Sequence, residues 1–262
     1  MLRGIYIAAS GMSGRSDAID VLTNNLANVN TNGYKADKLA SSSFAKVLLS
    51  RIDDAPGGIL ANSSRPPQIG QTEMSGAVAE NMYIDFTPGG TSITQNPLDL
   101  ALDGPGFFTL DGGNQQVMYA REGAFTLDSE KYLINQTGLR VLDAAGQPVR
   151  IPTIGTIKVD SDGTISVDNL PVGKLGIVEF ANTNILTKAG HNVFSTSVAG
   201  GSTPARETEV IQGAIERSNV NPISSLTQLL SMYRQFEASA RTIDAFDRTL
   251  DRVVNELGRI SG

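Results

Sequence analysis

Residues able to carry acid, base or metal chemistry are thinly spread along this chain. It has one histidine, His191, and no cysteine. One imidazole cannot build a multi-histidine metal centre. Without thiols there are no disulfides, no cysteine-ligated zinc, no iron–sulfur cluster and no thiol catalysis. A Ser-His-Asp triad would have to use His191, which lies in a polar stretch rich in Gly and Ser and reads as a loop histidine. Asp160-Ser161-Asp162-Gly163 opens like a calcium loop, but no bidentate Glu follows at the required spacing, so a hairpin turn is expected. Asp99, Asp103 and Asp111 could pose as paired acids, yet all three flank turn residues. Gly104-Pro105-Gly106 leads into a strand pattern and lacks the Lys-Ser/Thr of a phosphate loop. The sequence nominates no catalytic, cofactor-binding or metal-ligating residue.

The elements that would have to position such groups point elsewhere. Apolar residues make up 40% of the 262, enough for a sizeable core. No apolar run approaches the ~20 residues that cross a bilayer, so direct membrane insertion is not expected. The opening Met1-Leu2-Arg3-Gly4-Ile5-Tyr6-Ile7 lacks a secretory apolar region, and export without a cleaved signal, or none at all, is expected. Net charge is −6. Residues 1–40 hold Arg3, Arg15, Lys35 and Lys38 against Asp17, Asp20 and Asp37, and residues 222–262 balance five Arg with five acids, so the middle is acidic. No basic patch offers a phosphate-binding face, and nucleic acid is not an expected partner.

Apolar residues near the start recur every seven, at Ile5, Met12, Ile19 and Leu26. A second row at Ala8, Leu22 and Val29 is broken once, by Arg15. This predicts a helix over 3–29, ending in the turn formers Asn28 to Gly33. The last zone repeats the pattern at Leu229, Phe236, Ile243, Leu250 and Leu257, with Met232, Phe246, Val253 and Ile260 in the second row and Ser239 as its gap. Asn221-Pro222 supplies an N-cap followed by proline at the first helical position. Arg234, Arg241, Arg248, Arg252 and Arg259 read as a solvated face that a neighbouring copy could pair with.

Between the helices, short apolar runs alternate with Asp-Gly and Asn turns: 100–102, 107–110, 117–120, 125–127, 132–134, 141–142, 164–167 and 175–180. Such close spacing predicts an all-β domain with Phe107, Phe108 and Phe125 in its core. The fold expected is mainly β with long terminal α-helices that pair as a coiled coil. A terminal helical domain takes residues 1–40 plus 215–262, and a β-rich domain takes 85–214. Residues 41–84 read as an extended loop or linker, with 44–52 as a short helix. A two-helix pair buries one stripe per helix and leaves Tyr6, Ala9, Tyr233 and Ala240 uncovered. Neighbouring copies would cover them, giving an open helical assembly.

Four blocks resemble the flagellar rod and hook protein family. They are Thr23-Asn24-Asn25-Leu26-Ala27-Asn28-Val29-Asn30-Thr31-Asn32-Gly33-Tyr34-Lys35, Asn96 to Phe108, Tyr119-Ala120-Arg121-Glu122-Gly123-Ala124-Phe125, and Gln212 to Asn221. Within the first, Asn24 and Asn25 sit where amides could bond across to a partner helix, while Asn28, Asn30, Asn32 and Gly33 suit a helix end. The resemblance implies a rod subunit in the periplasmic basal body with no cofactor and no catalysis. It implies export by the flagellar apparatus, terminal helices lining a tube, and torque transmission towards the hook. Its partners would be itself and other rod and hook proteins. The run Met232 to Glu237 is closer to proximal-rod members, and the long 41–84 segment to distal-rod members; the proximal type is the leading expectation. Two other readings are a secreted β-rich adhesin, and a hydrolase using two carboxylates. Either would keep some activity without the terminal helices.

Overall fold

The computed structural model describes residues 2–43, 77–113, 116–151, 155–198 and 200–260. The short helix expected at 44–52 lies outside these residues, as do the side chains of Ile5 and Leu257. By internal contacts the chain divides into two units. One holds Met1–Thr23, Leu39–Met82 and Leu226–Gly262; the other holds Asn24–Lys38 and Tyr83–Ser225.

Helix α1 spans Leu2–Ala27 and helix α2 spans Pro222–Ile260. The first stops two residues short of the expected 29. The Asn28 N–H bonds the carbonyls of both Asn24 and Asn25 at 3.2 Å, which tightens the last turn and sends Val29 into the loop. At the start of α2, Asn221 Oδ1 accepts from the N–H groups of Ile223 and Ser224, both at 3.1 Å.

Burial along α2 follows the heptad rows. Leu229, Met232, Phe236, Ser239, Ile243, Phe246 and Leu250 are half-buried, and most residues between them are exposed. On α1, Ile19 is buried and Met12, Arg15, Leu22 and Leu26 are half-buried. The polar breaks in the two rows meet. Arg15 donates from Nη1 to Ser239 Oγ and from Nε to Gln235 Oε1, each at 3.3 Å.

Strands Asp37–Ser43 and Ala77–Ile84 form a two-stranded sheet. The 41–84 stretch, expected as a linker, thus carries strand at both described ends. Glu80 and Asn81 interrupt the apolar run of the second strand, which masks it in the sequence.

In the β-rich unit, a six-stranded antiparallel sheet runs in the order Leu186–Lys188, Val193–Thr196, Val117–Ala120, Phe107–Asp111, Ile177–Phe180, Ser202–Pro204. A three-stranded sheet joins Ile157–Val159, Thr164–Val167 and Leu170–Lys174. The expected hairpin turn lies at Asp160–Gly163, where Gly163 has φ +85°. Two long-range pairs close the domain: Leu100–Asp103 with Glu209–Gln212, and Thr91–Ile93 with Ala214–Glu216.

Strand Phe107–Asp111 is covered on both faces, which is why large apolar residues fall on each of them. Successive side chains alternate between faces. Phe108 therefore joins a core with Leu110, Phe125, Val141, Ile165 and Leu175. Phe107 joins the opposite one with Tyr119, Phe180, Leu186 and Phe194. Edge-to-face rings tie each together, Phe108–Phe125 at 5.1 Å and Phe107–Phe180 at 5.6 Å.

Candidate functional site

The turn after α1 is built from its own side chains. Tyr34 donates its hydroxyl to Asn24 Oδ1 and Asn25 Oδ1, both at 3.1 Å. Asn25, almost fully buried, donates Nδ2 to the Asp37 carbonyl at 2.7 Å and accepts the Asp37 N–H at 2.9 Å. Its amide stands in for a strand neighbour and bonds its own chain, not a partner helix. Asn28 donates Nδ2 to the Asn24 carbonyl at 2.9 Å. Leu26 is half-buried.

Gly33 lies at φ +66°, where a side chain is strained, and its N–H donates to the Glu216 carbonyl at 2.7 Å. A Cβ there would sit 2.5 Å from the Glu122 nitrogen, so the turn is seated directly on the Arg121–Glu122 peptide.

Beneath this turn is a buried charge cluster. Lys35 has no exposed side-chain surface, and Glu216 and Arg121 are 3% and 2% exposed. The ammonium of Lys35 lies 2.6 Å from Glu216 Oε1 and donates to the Thr87 carbonyl at 3.0 Å. The same Oε1 accepts the Gly89 N–H at 2.9 Å. Arg121 Nη1 reaches Glu216 Oε2 at 3.5 Å, an ion pair too long for a well-formed hydrogen bond, with its guanidinium 4.8 Å over the Phe107 ring. Burial lowers the pKa of Lys35 and of Arg121, and Glu216 opposes both shifts. Burial raises Glu122 to about 7 and Tyr34 to about 12, the latter with help from Asp37.

Three further groups tie the turn down. Asn219 Oδ1 accepts the Ala36 N–H at 2.8 Å, while its Nδ2 donates to the Asp85 and Thr87 carbonyls. Lys188 Nζ donates to the Lys35 carbonyl and Asp37 Oδ2, each at 2.8 Å, and lies 4.2 Å over the Tyr34 ring. Asn192 donates to the Asn32 carbonyl at 2.7 Å. The arrangement holds backbone in place. No sequence signal marked Lys35, Arg121, Glu216, Asn219 or Lys188 individually, although the first four lie inside the quoted blocks.

A cavity of about 620 Å³ is lined in part by Asp143, Asp162, Lys174 and Glu209. Hydrogen bonds from Thr164, with Lys174 alongside, hold the Asp162 carboxyl down at about 2, so it neither donates nor accepts a proton near neutral pH.

Three family patterns match the chain in order: flagella basal body rod protein at residues 5–35, flagellar hook protein FlgE/F/G D1 domain at 101–167, and flagellar basal body rod FlgEFG protein C-terminal at 211–257. The buried cluster takes Lys35 from the first, Arg121 from the second and Glu216 from the third. Relatives span the whole length. The flagellar basal-body rod protein FlgF of Caulobacter vibrioides is 30% identical over 100% of both chains. The flagellar basal-body rod protein FlgG of Bacillus subtilis is 31% identical over 97% of this chain and 99% of its own. The flagellar hook-basal body complex protein FlhO of Bacillus subtilis is 30% identical over 99% and 100%. With that coverage and identity, the chain belongs to the flagellar basal-body rod protein family.

Proposed function

We propose that this chain is a structural subunit of the flagellar rod, that it assembles with copies of itself and other rod and hook proteins, and that it has no catalytic step. One observation carries the self-assembly. Outside its covered rows, α2 presents a second apolar stripe at Ile223, Leu226, Leu230 and Tyr233, which are 78%, 48%, 54% and 49% exposed. Residues at these three- and four-residue steps share one helix face. A contiguous apolar face on a charged helix is unfavourable in water, and a neighbouring subunit removes it.

The coiled-coil pairing of α1 with α2 is part of this reading. Arg15 lies ten residues before Asn25, and Gln235 ten residues after Ser225. Asn25 and Ser225 are held in the same unit. At those separations the Arg15 bonds to Ser239 and Gln235 support an antiparallel pair. Such pairs would line the tube that carries torque towards the hook, after export by the flagellar apparatus without signal cleavage. The run Met232 to Glu237 favours the proximal position.

The test is complementation of a strain lacking the gene with Leu230→Asp. The variant should be exported and keep the unfolding midpoint of the wild-type monomer, yet leave cells non-motile. Normal motility with Leu230→Asp and Tyr233→Asp combined would remove the basis for the proposal.

A further inference from the structure

Glu122 is 4% exposed, and its carboxyl makes no hydrogen bond or ion pair with any described residue. It lies on the wall of a cavity of about 370 Å³, together with Asn24, Thr31, Thr137, His191 and Asn192. The other opposite charges on that wall cancel, because the Lys188 ammonium is 2.8 Å from Asp37 Oδ2. Burying a carboxylate without a counter-charge is unfavourable, and a cation brought to the wall would relieve that cost.

We propose that this cavity receives an arginine side chain from α2 of a second copy of the chain; the proposal rests on the self-assembly reading above. The source is a row on α2. Arg234, Arg241 and Arg248 are exposed and seven residues apart. Among the described residues Arg234 and Arg248 have no ion-pair partner, and Arg241 has a loose, solvent-exposed contact with Glu237 at 3.8 Å. Arg234 is four residues on from Leu230 and so is its surface neighbour, placing the row beside the apolar stripe. A subunit docked on the stripe meets this row. A guanidinium also suits the cavity better than a point charge. Its planar fork can engage the Glu122 carboxylate with two N–H groups and turn the rest towards the amide and hydroxyl oxygens of the wall.

The test uses basal bodies isolated from cells producing Arg234→Lys, Arg241→Lys or Arg248→Lys. Carbodiimide activates a carboxyl, and an adjacent amine displaces it as a urea that carries away one carboxyl oxygen, leaving an amide. The expected result is a covalent dimer joined between Glu122 and one substituted position, Arg234→Lys being the leading candidate. It is identified by peptide mass spectrometry and lost when Glu122→Gln is added. Dimers joined only through other residues overturn the cavity proposal and leave self-assembly standing. Absence of any covalent dimer likewise overturns the cavity proposal, while self-assembly is decided by the Leu230→Asp complementation. The purified chain supplies a second readout. Glu122→Gln should raise the monomer's unfolding midpoint at pH 8 by several °C, because it removes an unpaired charge. A lower midpoint would mean that Glu122 serves the fold of its own chain and would overturn the proposal.

Discussion

Replacing Glu216 by Gln removes the one carboxylate shared by Lys35 and Arg121. Neither cation has more than 2% of its side chain exposed, so neither reaches water without backbone movement. Gln can still accept the Gly89 N–H, but both cations lose their counter-charge. Breaking a buried pair by removing one partner costs about 3–5 kcal/mol. Lys35 has an escape that caps its share. It can deprotonate, which from its ordinary value of 10.5 costs about 5 kcal/mol at pH 7. Arg121 has no such route. A chain of this length shifts its midpoint by roughly 2–4 °C per kcal/mol, so the loss should be about 6–20 °C. With no tryptophan, tyrosine near-UV circular dichroism is the natural probe. The variant should also gain stability from pH 7 towards 10, because unfolded Lys35 then binds a proton that the folded neutral amine does not. Adding Lys35→Met should recover part of the loss. A Glu216→Gln variant within about 1 kcal/mol of wild type, with a flat pH profile, would refute the argument.

Three more outcomes follow from the same site. Gly33→Ala combines positive φ with a Cβ 2.5 Å from the Glu122 nitrogen, and should cost about 3 kcal/mol or more in urea unfolding. Asn25→Ala strands the buried N–H and C=O of Asp37, at about 1–3 kcal/mol each, so a loss of about 2–6 kcal/mol is expected by the same assay. Burial lifts Glu122 from 4.5 to about 7, so the folded monomer binds the extra proton. Its contribution is fully present below pH 4.5 and is lost as pH rises through about 7, a change of about 3 kcal/mol that Glu122→Gln should abolish in a stability–pH profile.

The terminal helices were legible because a seven-residue repeat sustained over several turns fits a helix seam and not the two-residue period of a strand. Arg15 and Ser239 were each visible as breaks in a row. That the breaks meet was not visible, since 224 residues separate them. Phe107, Phe108 and Phe125 were readable as core from type and run. The pairs that close the β-rich unit were not. Thr91–Ile93 and Glu209–Gln212 are three or four residues long and partly polar, and each gains its strand character from a partner more than a hundred residues away. Lys35 shows the limit most clearly. Next to an Asn-rich turn, a lysine looks solvated, and only the approach of Glu216 from 181 residues away makes it buried. The resemblance covered these residues without saying why their types matter. The structure supplies a reason: Lys35, Arg121, Glu216 and Asn219 fix the chain segments that lead out of α1 and into α2.

The most direct test of the rod assignment is electron cryotomography of basal bodies in cells whose copy of this gene is deleted. Basal bodies that stop within the periplasm, without hook or filament, are the expected result, and a short stump would place the subunit in the proximal rod. Complete rods bearing hooks and filaments in the deletion strain would contradict it.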